Sequence, residues 1–139
     1  MDVIKRTLPG TYGDSFFLNA EGRVCQRCCT PAEYLVRLEM LEINFGFAPR
    51  FIGVTATGQI ITAQRFIEGD PATQREVDEF LSHSGFEPVK QPCWLWKKCR
   101  LGDDVEYWVG DARADNFIRA QSGLLPIDLR MWGVPISSA

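Results

Sequence analysis

Asp111, Asn116 and Asp128 stand within one apolar stretch, VGDARADNFIRAQSGLLPIDLRMWG, residues 109–133. Carboxylate and carboxamide oxygens are hard ligands. They suit a cation such as magnesium, which keeps several waters and so needs few protein groups. A carboxylate not committed to the metal can accept or orient a hydroxyl proton. The three residue types therefore fit phosphoryl transfer. Asp111 would meet the acceptor hydroxyl, and Asn116 and Asp128 would hold a metal against phosphate oxygens. The same residues also shape turns through hydrogen bonds to nearby backbone, and Asp128 could simply close a strand.

Several elements must hold these groups in place. NFIRAQSGLLPID reads as a hairpin about Ser122-Gly123, which would return Asp128 beside the loop carrying Asn116. Residues 92–97 and 104–109 are short strand-like pieces. Upstream, RFIGVTATGQIITAQRFI is two apolar strands joined at Thr57-Gly58, a hairpin. SFFLNAEGRVCQRC is a second one about Ala20-Glu21-Gly22. Thr30-Pro31-Ala32-Glu33 combines an N-cap, a first-position proline and a capping-box glutamate. Tyr34, Leu35, Leu38, Leu41 and Phe45 follow at helical spacing, so the pattern predicts a helix over 31–44. Gly69-Asp70-Pro71 interrupts the apolar run. A second helix is expected from Thr73 to Ser82, burying Val77, Phe80 and Leu81. This order of elements predicts an α+β domain with a sheet and one helix in its first half.

Asp111 and Asn116 have the spacing D-x4-N, and Asp128 follows at hairpin distance. That arrangement resembles the catalytic loop and metal-binding aspartate of protein kinases. The chain is similar to the protein-kinase-like superfamily, in particular to the polyvalent protein kinase-like domains of phage and bacterial mobile elements and to aminoglycoside-phosphotransferase-type kinases. EYLVRLEMLEINFGF, RFIGVTATGQIITAQRFIEGDPATQREVDEFLSHSGFE and VGDARADNFIRAQSGLLPIDL carry the resemblance in that order. It implies a compact kinase-like fold in one domain over 1–139. The small lobe, about 1–67, would hold a small mixed sheet and a helix. A hinge would cover about 64–70, and a truncated large lobe about 71–139. It also implies ATP and magnesium as cofactors. The backbone of Gln64, Phe66 and Ile67 would meet the adenine edge. The acceptor, or a protein partner, is left unnamed. A non-catalytic nucleotide-binding or pseudokinase module is the alternative.

Three features depart from the family pattern. Val109-Gly110 precede Asp111 where a histidine or arginine is usual. Leu129-Arg130 follow Asp128 in place of Phe-Gly. No G-x-G-x-x-G is present, only Gly10-Thr-Tyr-Gly13. GRVCQRCC stands where the resemblance expects a phosphate-gripping lysine, leaving Arg27 or Arg23 as the substitute cation. Arginine contacts phosphate but does not reproduce a lysine point charge, and Arg27 could equally be an exposed edge charge. Glu33 and Glu39 are both available to pair with that cation.

Composition narrows the classes further. The chain has 139 residues, 45% of them hydrophobic and 24% charged, values ordinary for one globular domain. A net charge of −3 gives no electrostatic footprint for nucleic acid. No apolar run has the length of a membrane span, and the N-terminal residues lack a signal-peptide core. A cytoplasmic protein of bacterial or phage origin is expected. The cysteines, Cys25, Cys28, Cys29, Cys93 and Cys99, are odd in number, which argues against a disulfide framework. Their spacing fits zinc poorly, so free thiols are the preferred reading. The four tryptophans, Trp94, Trp96, Trp108 and Trp132, are expected in the core or facing a partner.

Overall fold

The computed structural model describes residues 1–89, 94–99, 102 and 104–135; for strand residues 15–18, 24 and 135 only the backbone is described. It holds two helices and a set of small sheets. β1 (Asp2–Arg6), β5 (Ile60–Arg65) and β4 (Arg50–Val54) form one sheet in the order β1-β5-β4. β11 (Gly123–Pro126), β10 (Phe117–Ala120) and β6 (Asp70–Pro71) form a second. β12 (Arg130–Pro135), β9 (Val105–Gly110), β8 (Trp96–Cys99) and β7 (Glu87–Pro88) form a third, and β2 (Asp14–Leu18) pairs only with β3 (Val24–Cys28). Every described strand pairing is antiparallel. The single mixed sheet expected from the sequence is thus replaced by several antiparallel ones. The reason is local. Three pairs, β2–β3, β4–β5 and β10–β11, are hairpins closed by short loops, whereas a parallel pair would need a long crossover.

Helix α1 (Pro31–Phe45) begins where its capping signals place it. Thr30 accepts from the Glu33 backbone N–H, and the Glu33 carboxylate accepts from the Thr30 N–H at 3.0 Å. Gly46, at φ 65°, ends the helix in the left-handed conformation, which costs glycine little. Helix α2 (Gln74–His83) repeats the device with Thr73 and Glu76. One core joins both halves of the chain. Leu41 of α1 packs with Val77 and Leu81 of α2, Val109 of β9, Phe117 of β10 and Met131 of β12. Leu95, Trp108 and Trp132 make a second cluster. Of the four tryptophans, Trp96, Trp108 and Trp132 are buried, while Trp94 is half exposed. Cys25, Cys28, Cys29 and Cys99 are free thiols, and Cys93 lies outside the described residues. No helix among the described residues is long and apolar enough to cross a membrane.

Glu33 does more than cap. Arg27 Nη1 donates to it at 2.8 Å. That hydrogen bond, helped by the Thr30 N–H against the opposing effect of burial, holds the Glu33 carboxyl down at about 2. The folded value lies below the unfolded one, so the contribution is complete above the ordinary carboxylate range and is lost as pH falls toward about 2. Glu33→Gln is therefore expected to destabilise the domain at neutral pH and to match the parent in strong acid. Urea unfolding of both proteins from about pH 6 to about pH 2 checks this. A stability gap that stays constant across that range would contradict it.

Candidate functional site

Strand β9 delivers Asp111 to the start of a tightly fastened loop. Asp111 itself is left-handed, at φ 58°, a conformation that aspartate tolerates better than most side chains. Its carbonyl accepts from the Arg113 N–H at 2.8 Å and from Asn116 Nδ2 at 2.7 Å. Gln74, the first residue of α2, clamps the loop from outside. Its Nε2 donates to the Ala112 carbonyl at 3.0 Å, and its Oε1 accepts from the Ala114 N–H at 3.0 Å. A short 3-10 turn, Ala114–Asn116, then leads into β10. Asn116 is buried. Its amide nitrogen is committed to Asp111, which leaves Oδ1 as the atom able to face a cation.

The β10–β11 hairpin brings Asp128 back to this loop, as its turn signal implies. The Ile127 N–H donates to the Asn116 carbonyl at 2.9 Å. Asp128 is exposed, and its carboxylate makes no hydrogen bond or ion pair among the described residues. Asp128 is thus an uncommitted carboxylate one residue beyond a backbone bond to Asn116. Among the described residues no three His, Cys, Asp or Glu side chains cluster as metal ligands, so any magnesium held here would keep most of its waters.

Two cations that sequence reasoning passed over share a cavity with Asp128. Lys5 of β1 and Arg37 of α1 line it, together with Tyr34, Leu38 and Ile127. Lys5 Nζ donates to the Ile127 carbonyl at 3.0 Å. Arg27, the cation proposed from the sequence, is placed elsewhere, half exposed on β3 and bound to Glu33. The cause is topological. The β2–β3 hairpin pairs only with itself, and β1 is the strand beside β5. Opposite Lys5 in that pairing is Thr62, and opposite Val3 is Gln64. The signal in the sequence was the Val3-Ile4-Lys5 run ahead of the first helix.

A separate cleft of about 440 Å³ opens between residues 65–68 and the β10–β11 turn, lined by Phe66, Ile67, Gln121 and Leu125 among others. This volume is on the scale of a small-molecule site, about 300–1,000 Å³. Phe66 and Ile67 lie on its wall. Gln64 lies one step inside on β5, buried, with its Oε1 unpartnered. The Phe66 N–H is already spent on the Met1 carbonyl at 2.9 Å. Gly69 presses against β10. A Cβ added there would sit 2.8 Å from Ile118 Cγ2 and 2.9 Å from the Arg119 carbonyl carbon. Gly69→Ala is expected to push the 66–69 segment off β10 and destabilise the domain by about 1–3 kcal/mol, the usual cost of overpacking. Chemical denaturation measures this, and an unchanged midpoint would show that the segment is free to move.

A scan against family models finds no match, and no curated protein or solved structure matches the chain.

Proposed function

We propose that the domain is a magnesium- and ATP-dependent phosphotransferase acting on a hydroxyl acceptor, on a protein-kinase-like plan. One observation carries the reading. A run of hydrogen bonds ties Lys5, Ile127, Asn116 and Asp111 to one another, and Asp128 follows the second of them. Lys5 donates to the Ile127 carbonyl, the Ile127 N–H donates to the Asn116 carbonyl, and the Asn116 side chain donates to the Asp111 carbonyl. Turn formation alone explains Asp111 and Asn116. It does not explain why a lysine from the other end of the chain reaches the residue before Asp128.

On this reading Lys5 supplies the point charge for the phosphates, the role first given to Arg27. Phe66 and Ile67 bound the space for the base. Asn116 Oδ1 and the Asp128 carboxylate would hold magnesium, which would supply positive charge to offset that of the phosphates. Asp111 accepts or orients the acceptor proton. Most of the catalytic effect then comes from positioning and from charge already in place. A non-catalytic nucleotide-binding module is the second reading. It is favoured by Arg113, whose Nε lies 2.9 Å from the Asp111 carboxylate and occupies the group that would serve the acceptor.

Asp128→Asn tests the first reading. The exposed amide keeps the shape but loses the anion, so the fold should stand. Affinity for magnesium-ATP should fall by on the order of tenfold or more, about 1.4 kcal/mol, with adenosine affinity unchanged. Equal magnesium-ATP affinity in parent and variant, by calorimetry, would exclude the metal role.

A further inference from the structure

We infer that Arg37 is a second phosphoryl ligand, receiving an oxygen of the nucleotide's phosphates in the cavity it shares with Lys5 and Asp128. The inference rests on the phosphotransferase reading and assigns a role to a residue that reading leaves unused.

Arg37 sits on α1 with 7% of its surface exposed. A buried guanidinium needs its donors satisfied. Its Nη2 donates to the Asp14 carbonyl at 2.8 Å and to Cys29 Sγ at 3.1 Å. Those bonds fasten the β2–β3 hairpin to α1 and account for one nitrogen. Nε is fully buried and has no partner. The guanidinium also lies over the Tyr34 ring, 5.9 Å from its centroid, and Arg37 lines the cavity that Lys5 and Asp128 share.

The charge balance points the same way. Burial pushes the Arg37 pKa down, and Arg130 adds to that, while Cys29, then Tyr34 and last Asp128 favour the charged form. Asp14 is already engaged, by Gln26 Nε2 at 2.6 Å and by Arg130 at 3.5 Å. Asp128 is thus the carboxylate that faces both Lys5 and Arg37 across the cavity. Two positive side chains then share one carboxylate, which leaves a net positive charge for an anion in the cavity. The cavity measures about 60 Å³, several times the ~10–15 Å³ that admits one water. Arginine presents rigid paired donors and lysine a mobile point charge, a combination suited to oxygens on one phosphate chain.

The test uses the whole chain labelled with 15N-arginine, with the Arg37 Nε resonance assigned by its absence in Arg37→Lys. Tripolyphosphate, magnesium-ATP and adenosine are titrated separately. Tripolyphosphate and magnesium-ATP should both move the Arg37 Nε resonance, and adenosine should not. Arg37→Gln should weaken tripolyphosphate binding at least tenfold and leave adenosine affinity alone. If Arg37→Gln fails to fold, Arg37→Lys and the parent spectra still decide the matter. An Nε resonance unmoved at saturating magnesium-ATP would overturn this inference and leave the phosphotransferase reading standing. Absence of any binding by magnesium-ATP and tripolyphosphate would overturn both.

Discussion

Asp111→Ala is expected to lower the rate of phosphoryl transfer by on the order of 10²- to 10⁴-fold, the contribution typical of a positioned acid–base group, with little change in nucleotide affinity. The separation follows from geometry. Asp111 opens the loop, and its side chain is held by Arg113 at 2.9 Å. The groups assigned to metal and phosphate are Asn116, Asp128 after the hairpin, Lys5 on β1 and Arg37 on α1. The carbonyl that Asn116 grips belongs to the Asp111 backbone and survives the substitution. Left-handed backbone at φ 58° does disfavour alanine. Asp111→Asn is the control, since asparagine keeps that conformation and loses only the charge. Initial rates with a panel of hydroxyl acceptors measure the effect. Loss in the alanine variant but not in the asparagine variant would point to loop strain. Parental rates in both would remove Asp111 from the chemistry. A parent protein with no rate above these variants would favour the binding-module reading.

Phe117→Ala is expected to destabilise the domain by about 3–5 kcal/mol, as large aromatic truncations in a core do. Phe117 is 1% exposed. Its ring meets Phe80 of α2 edge-on, 6.0 Å between centroids. It also follows Asn116 directly and opposes Pro126 across the β10–β11 pair. The same side chain that fills the core therefore fixes the hairpin returning Asp128. Small domains hold only about 5–15 kcal/mol in total, so the urea midpoint should drop sharply with the slope unchanged. A loss below about 1 kcal/mol, well short of the core range, would show that Phe117 does not anchor this hairpin.

Local signals were legible in the sequence, and distant pairings were not. The capping box at Thr30 and Glu33 placed the start of α1 at Pro31, where it is observed, because N-cap chemistry is contained in four consecutive residues. The turns at Ala20–Gly22, Thr57-Gly58 and Ser122-Gly123 marked three hairpins for the same reason. Strand β1 escaped because nothing in Asp2–Arg6 announces that its partner is Ile60–Arg65. The lysine it carries escaped with it. Strand β12 lies beside β9 on equally remote information. Arg37 was hidden by an ordinary assumption, that a charged residue on an amphipathic helix faces water. It adjoins the buried Leu38 and lies four residues before Leu41, which puts it on the inward face. The link from Asn116 to the Asp111 backbone, and the return of the chain at Ile127 to Asn116, were legible because loop and hairpin spacing sets them locally.

Stability measured by urea unfolding, with ATP alone, magnesium alone and both together, tests the proposed nucleotide site most directly. Binding only to the folded state at about 100 times the dissociation constant adds about 2.7 kcal/mol. That increment should appear with both ligands present, shrink when magnesium is withheld, and fall to about 1.4 kcal/mol or less for magnesium-ATP in Asp128→Asn at the same concentration, as a loss of tenfold or more in affinity requires. Equal stability in all conditions, with ATP raised to millimolar levels, would contradict a nucleotide site in this domain.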